Sequence, residues 1–138
     1  MKKKVLAIKV WKRIKWAKEG KRHVPVSKAA RKILDDARKH YSNNDKEVRD
    51  SLICGCCHCL STYSPKEIFQ WIDHKEMTAR CPNCGIDTVL AAASGYPVSD
   101  IYFLAAMERY IFGMRDDYDF EETPEPVTYQ RYIKGRDF

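Results

Sequence analysis

Hydrophobic residues recur at helical spacing in two stretches of the chain. Ala30, Ile33, Leu34, Ala37 and Tyr41 fall at i, i+3, i+4, i+7 and i+11, the stripe of a helix with one buried face. Ser27 stands before them as an N-cap, its hydroxyl suited to accept an orphan amide of the first turn. A helix is therefore predicted from Ser27 through Tyr41. The second stretch is capped by Ser99, runs from Asp100 to about Phe112, and is ended by Gly113. Ile101, Leu104, Ala105, Ile111 and Phe112 make one face of it, and Phe103, Met107 and Tyr110 a second. A helix apolar on two sides is buried, either against the N-terminal helices or against a second copy in a homodimer.

Other segments carry shorter signals. In residues 5–17, VLAIKVWKRIKWA, the positions Leu6, Val10, Ile14 and Ala17 predict a further helix, and Gly20 to Pro25 reads as a break. Asp45 is read as the cap of a short helix to about Leu52. Ser64-Pro65-Lys66-Glu67 has the form of a capping box with proline in the first turn, so a helix carrying Ile68, Phe69 and Ile72 is predicted after it. Residues 78–80 and 87–90 read as extended and should pair as a hairpin. Residues 115–138 are acidic, then punctuated by Pro124 and Pro126, and predict an extended tail whose aromatic residues dock on a surface.

The cysteines dominate the chemistry. Cys56 and Cys59 form one CxxC pair, Cys81 and Cys84 another, and 21 residues separate them. A CxxC turn offers two thiolates from one tight loop, and two such turns complete a closed tetrahedral zinc site. Proline stiffens the second turn, Cys81-Pro82-Asn83-Cys84-Gly85, and the glycine permits the positive φ that closes it. One structural zinc is expected in preference to disulfides or free thiols. Cys54 and Cys57 are then spare. Cys54 and Cys57 also form a CxxC, however, and His58 can replace a thiolate, so a shifted ligand set stays open.

Composition suits a soluble globular chain, at 44% hydrophobic and 32% charged residues. The opening MKKKVLAIKV has only a short apolar run before Lys9 and no cleavage signature. No run is long enough to span a bilayer, so a cytoplasmic protein with metal-binding thiols is expected. The net charge of +6 hides an asymmetry. Residues 1–50 hold 17 Lys/Arg and 6 Asp/Glu, a net +11, whereas residues 51–138 hold 8 and 13, a net −5. Three regions follow: a basic helical arm over 1–50, a zinc-binding domain over 51–114, and an acidic tail over 115–138. Lys9, Trp11, Lys12, Arg13, Lys15 and Trp16 interleave aromatic rings with cations, which suits stacking on bases and pairing with phosphates. It equally suits a helix on an anionic membrane, or tryptophans that cover the protein's own core. Arg31, Lys32 and Arg38 extend the basic surface along the helix after Ser27.

Residues 51–113 resemble a family of small bacterial and phage-borne cytoplasmic proteins. The resemblance lies in Cys54-Gly55-Cys56 with Cys59, SPKEIFQWID at 64–73, TARCPNCGIDTVL at 78–90 and SGYPVS at 94–99. Where the family carries two aromatic residues inside the first CxxC, this chain has Cys57 and His58. The resemblance implies a zinc-ribbon-like unit at Cys56, Cys59, Cys81 and Cys84, and no assigned activity.

Catalytic zinc needs an open coordination position, which four cysteines deny. The pattern of zinc deaminases fails, because no His-x-Glu precedes a Pro-Cys-x-x-Cys. Asp73-His74 before the second CxxC is similar to the start of an HNH nuclease motif, but the later asparagine and histidine are missing. The sequence thus predicts an α+β, helix-rich fold around a zinc ribbon or paired knuckles. It predicts a non-enzymatic binding module whose partner is nucleic acid or an acidic protein surface. A metal-dependent nuclease using His74 is the alternative.

Overall fold

The computed structural model of the chain describes residues 11, 13–20, 22–73 and 75–113. Its first paired element is a hairpin of β1 (Trp16–Glu19) and β2 (Arg22–Pro25), with Trp16 opposite Pro25 and Ala17 opposite Val24. This corrects two expectations. The helix read over 5–17 does not continue through Trp16 and Ala17, and within the break read over Gly20 to Pro25 the residues Arg22–Pro25 form a strand. Gly20, at φ +66, turns the chain back, and His23, Val24 and Pro25 are buried on the return. Helix periodicity in residues 5–17 is outweighed there by strand pairing and burial. Residues 1–10 and Lys12 lie outside the described part.

Helix α1 spans Lys28–Arg38, and its Ser27 cap accepts a hydrogen bond from the Ala30 amide at 3.3 Å. It tightens into a 3-10 turn over Lys39–Tyr41, so the predicted stripe holds to its end. Ala30, Leu34, Ala37 and Tyr41 are buried, with Ile33 packed beside them. A short α2 follows at Asp45–Arg49. Asn44, not Asp45, sits at its N-cap position, and the Asn44 side chain is used elsewhere.

Three antiparallel strands form the central sheet, in the order β4 (Thr62–Tyr63), β3 (Cys54–Cys56), β7 (Val89–Ala91). A second pair joins β5 (Trp71–Ile72) to β6 (Thr78–Ala79). The strands flanking the second CxxC therefore do not pair with each other as expected. The one before it joins β5, and the one after it joins β3. The helix expected after Ser64 also lasts a single 3-10 turn, Pro65–Glu67, although the capping box itself is present. Ile68 then turns extended at ψ 123, and the Arg80 amide donates to the Gln70 carbonyl at 3.0 Å. Pairing with β6 thus takes the segment that one turn of helix began.

Side-chain alternation on β3 and β7 separates two apolar clusters. Cys54, Cys56, Val89 and Ala91 face one, with Tyr63 and Ile68. Leu90 faces the other, with Trp11, Leu34, Tyr41, Phe103, Leu104 and Met107. Gly55, opposite Leu90, has its open side at the Val98 carbonyl and Leu104. Helix α3 (Ile101–Ile111), capped by the Asp100 carboxylate and not by Ser99 as expected, is buried at both apolar faces, from Phe103 through Met107 and again at Tyr110. Trp11 lies edge-on to Phe103, with ring centroids 5.0 Å apart. Residues from both sides of the boundary drawn at 50/51 share this second cluster, so the described part of the basic arm rests on the body.

Two asparagines hold the β5–β6 hairpin to the rest. Asn44 Nδ2 donates to the carbonyls of His40 at 3.0 Å and Val89 at 2.9 Å, and its Oδ1 accepts from the Ala79 amide at 3.0 Å. Asn43, at φ 53, donates its amide to Thr78 Oγ1 at 2.8 Å and accepts from the Glu76 amide at 3.0 Å. The sequence showed these only as a turn.

Candidate metal centre and basic face

Each CxxC pair closes through the same backbone turn. In the first, the Cys56 amide donates to the Ser61 carbonyl and the Leu60 amide to the Cys56 carbonyl. In the second, the Cys81 amide donates to the Ile86 carbonyl and the Gly85 amide to the Cys81 carbonyl. The residue after the last cysteine has positive φ in both, 65° at Leu60 and 80° at Gly85. Glycine adopts that conformation freely, whereas leucine holds it under strain. Leu60 is buried, so core packing keeps it there. The amides of His58 and Asn83 point at the first sulfur of their turn, each 3.4 Å from Cys56 Sγ and Cys81 Sγ.

The turns face each other. Cys56 Sγ lies 3.6 Å from Cys84 Sγ, and Cys59 Sγ 3.6 Å from Cys81 Sγ. All four sulfurs fall within 4.8 Å of one another, and all four residues are buried. With Zn–S bonds of about 2.3 Å, a regular tetrahedron sets neighbouring sulfurs about 3.8 Å apart. The donor set therefore fits one soft divalent cation closely. Burial pushes the Cys56 thiol up, whereas hydrogen bonds from Cys56, Cys59 and Cys84 hold Cys81 well below the ordinary thiol range. One thiolate is favoured by its neighbours' S–H groups. Further ionisation crowds negative charge in a dry site, which a cation relieves. Thr88 Oγ1 sits 3.6 Å from Cys56 Sγ. The buried Tyr63 hydroxyl, whose pKa is raised by burial and then by the Cys56 and Cys81 charges, interacts with the Cys81 sulfur. A ligating thiolate would accept from both hydroxyls.

Cys54 and Cys57 are buried outside the set. The His58 ring packs edge-on to Phe112, 5.0 Å between centroids. The shifted ligand sets that the sequence left open are thus not the ones assembled. Among the described residues, no other group of three His, Cys, Asp or Glu converges on one point. His74 lies outside the described residues.

The basic candidates separate by exposure. Trp11 is fully buried and cannot present its ring to a base. Trp16 is half-buried on the core, with the Arg109 guanidinium over its ring at 5.2 Å. The aromatic-and-cation reading of this stretch is corrected accordingly, because the rings pack inward. Arg13, Lys15, Lys32 and Arg38 are exposed, while Arg31 Nη2 is tied to the Pro25 carbonyl at 3.2 Å and to Glu19 at 3.6 Å. Lys9 and Lys12 lie outside the described residues. His40 is half-buried. Its Nδ1 lies 2.9 Å from Glu47 Oε1, and its ring stands edge-on to Tyr96.

Sequence reasoning missed Gly55, Leu60, Tyr63 and Thr88 as supports of the centre. Leu60 alone carried a legible signal, since it occupies in the first turn the place of Gly85 in the second. No described helix is long and apolar enough to cross a membrane. No family model, curated protein or solved structure matches the chain.

Proposed function

We propose that the chain is a non-enzymatic binding module, built on one structural zinc held by paired knuckles, that takes a nucleic-acid backbone on its basic face. The supporting observation is the charge over residues 13–39, ten Lys/Arg against three Asp/Glu. These residues form a hairpin and helix whose apolar sides turn to the core, leaving Arg13, Lys15, Lys28 and Lys32 exposed. Because the tryptophans pack inward, binding runs through phosphates, with little preference among sequences. Zinc shapes the fold and stands apart from the interface. Four thiolates close its coordination, which argues against a hydrolytic role. A reducing, cytoplasmic setting suits six unpaired cysteines.

The test titrates a labelled random 20-mer of single-stranded DNA with zinc-loaded full-length protein across a salt series. Log affinity should fall linearly with log salt, losing about 0.7 per phosphate contacted. Lys28→Ala and Lys32→Ala should each flatten the slope by about that amount. No binding at about 50 mM salt would overturn the reading. Native mass spectrometry should count one zinc per chain. Chelation should melt the β3–β7 region, because structural zinc contributes on the order of 10 kcal/mol. A protein that stays ordered without metal would refute the structural role. A protein partner is the second reading, favoured by Leu52 and Phe69, 93% and 68% exposed. Binding that survives high salt and is lost in Phe69→Ala would select it.

A further inference from the structure

We infer that the acidic stretch Asp116–Glu122 of the same chain docks on the basic face of the β1–β2 hairpin and α1, competing there with any outside polyanion. The inference concerns the same face as the proposed function and rests on that reading for its regulatory meaning only. The docking itself stands on charge, position and reach.

Five of the seven residues from 116 to 122 are acidic, with Tyr118 and Phe120 between them. The hairpin offers Lys15 and Arg22, and α1 offers Lys28 and Lys32, all exposed. The chain leaves α3 beside this face. At Gly113 (φ +58), an added Cβ would sit 3.0 Å from His23 Nδ1 of β2. One turn earlier, Tyr110 donates to Asp35 of α1 at 2.5 Å and lies under the Arg22 guanidinium, 5.5 Å from its ring centroid. The last described residue is thus already against the hairpin. From there, an extended chain covers about 3.3–3.6 Å per residue. Asp116 reaches about 10 Å and Glu122 about 30 Å, while the 11 residues of α1 are about 16 Å long. The acidic stretch spans the face without a long linker. A tethered occupant acts at an effective concentration in the millimolar range, so an intrinsic Kd of about 0.1 mM for the face would weaken an outside ligand about tenfold.

The experiment compares zinc-loaded full-length protein with a variant in which Asp116, Asp117, Asp119, Glu121 and Glu122 become Asn or Gln. Amide NMR shifts of residues 15–39 and affinity for the single-stranded 20-mer are both read at about 50 mM and about 500 mM salt. Docking predicts shift changes on β1, β2 and α1 at low salt that vanish at high salt, and about tenfold tighter oligonucleotide binding by the neutralised variant. The double variant K28E/K32E, with an intact acidic stretch, should reproduce the low-salt shift changes outside its own substituted sites. Shifts unchanged by neutralisation overturn the inference, even if both proteins bind DNA equally, which leaves the proposed function standing. Shift changes with no DNA binding by either protein uphold docking and remove the proposed function. Shift changes that grow with protein concentration assign the acidic stretch to a second copy and overturn the intramolecular form.

Discussion

Gly55 sits where the metal-bearing sheet meets α3, and replacing it with alanine tests whether that junction is as tight as the structure makes it. A Cβ there would lie 2.4 Å from the Val98 carbonyl oxygen and 3.1 and 3.2 Å from the two methyl carbons of Leu104. Real Cβ atoms essentially never approach closer than 3.0 Å, so at least about 0.6 Å must be opened. Leu104 can adjust its rotamer, but Val98 presents backbone. The strand cannot yield freely either, because Cys54 and Cys56 pair with β7 and Cys56 belongs to the sulfur cluster. Overpacking of this kind costs about 1–3 kcal/mol, and one disturbed ladder hydrogen bond adds about 1 kcal/mol. A loss of about 2–4 kcal/mol is expected, a large share of a net stability of about 5–15 kcal/mol. At about 3 °C per kcal/mol for a chain of this size, the melting temperature should drop by about 6–12 °C. Gly20→Ala is the control. It has positive φ but open space around it, so only the backbone penalty of about 1–2 kcal/mol applies. Circular dichroism melting of the zinc-loaded proteins decides the matter. If Gly55→Ala melts no lower than Gly20→Ala, the close approach of β3 to the turn before α3 is wrong, and with it the account of why glycine stands there.

Asn44→Ala should cost about 2–4 kcal/mol in denaturant unfolding, since it strands the buried Ala79 amide and Val89 carbonyl; a cost near zero would deny the asparagine its role as a staple. The two knuckle turns should respond in opposite ways to logic about φ alone. Gly85→Ala should cost about 1–2 kcal/mol by strain. Leu60→Gly should destabilise despite relieving strain, because losing a buried leucine costs about 2–5 kcal/mol; a more stable Leu60→Gly variant would mean the leucine packs poorly. Burial pushes the Cys54 and Cys57 thiols up to about 12 from an ordinary 9.0. The folded state therefore favours their neutral form. Their contribution to stability is complete below about pH 9 and is lost as pH rises toward about 12. Denaturant midpoints should fall across that window, and iodoacetamide at about pH 8 should leave both residues unlabelled in the native zinc-loaded protein. A midpoint flat to about pH 11, or rapid labelling, would contradict the burial of these sulfurs.

What the sequence determined by itself was local. The stripe from Ala30 to Tyr41 and the Ser27 cap marked α1, because a helix is written in residues three and four apart. The pairing of Cys56, Cys59, Cys81 and Cys84 was legible because a CxxC turn is a short-range geometry and four soft donors have few other uses. The capping box at Ser64 was also correctly read, yet the helix beyond it was not, because what ends that helix is pairing of β5 with a strand six residues further on. Tertiary structure alone decided the rest. It chose which strands pair around the sulfurs, turned Trp11 inward to meet Phe103, and required Gly55 where the Val98 carbonyl passes. It also drew Asn44 between β6 and β7. Each of these depends on groups distant in sequence competing for one small volume, and a linear pattern carries no record of which distant group will occupy it.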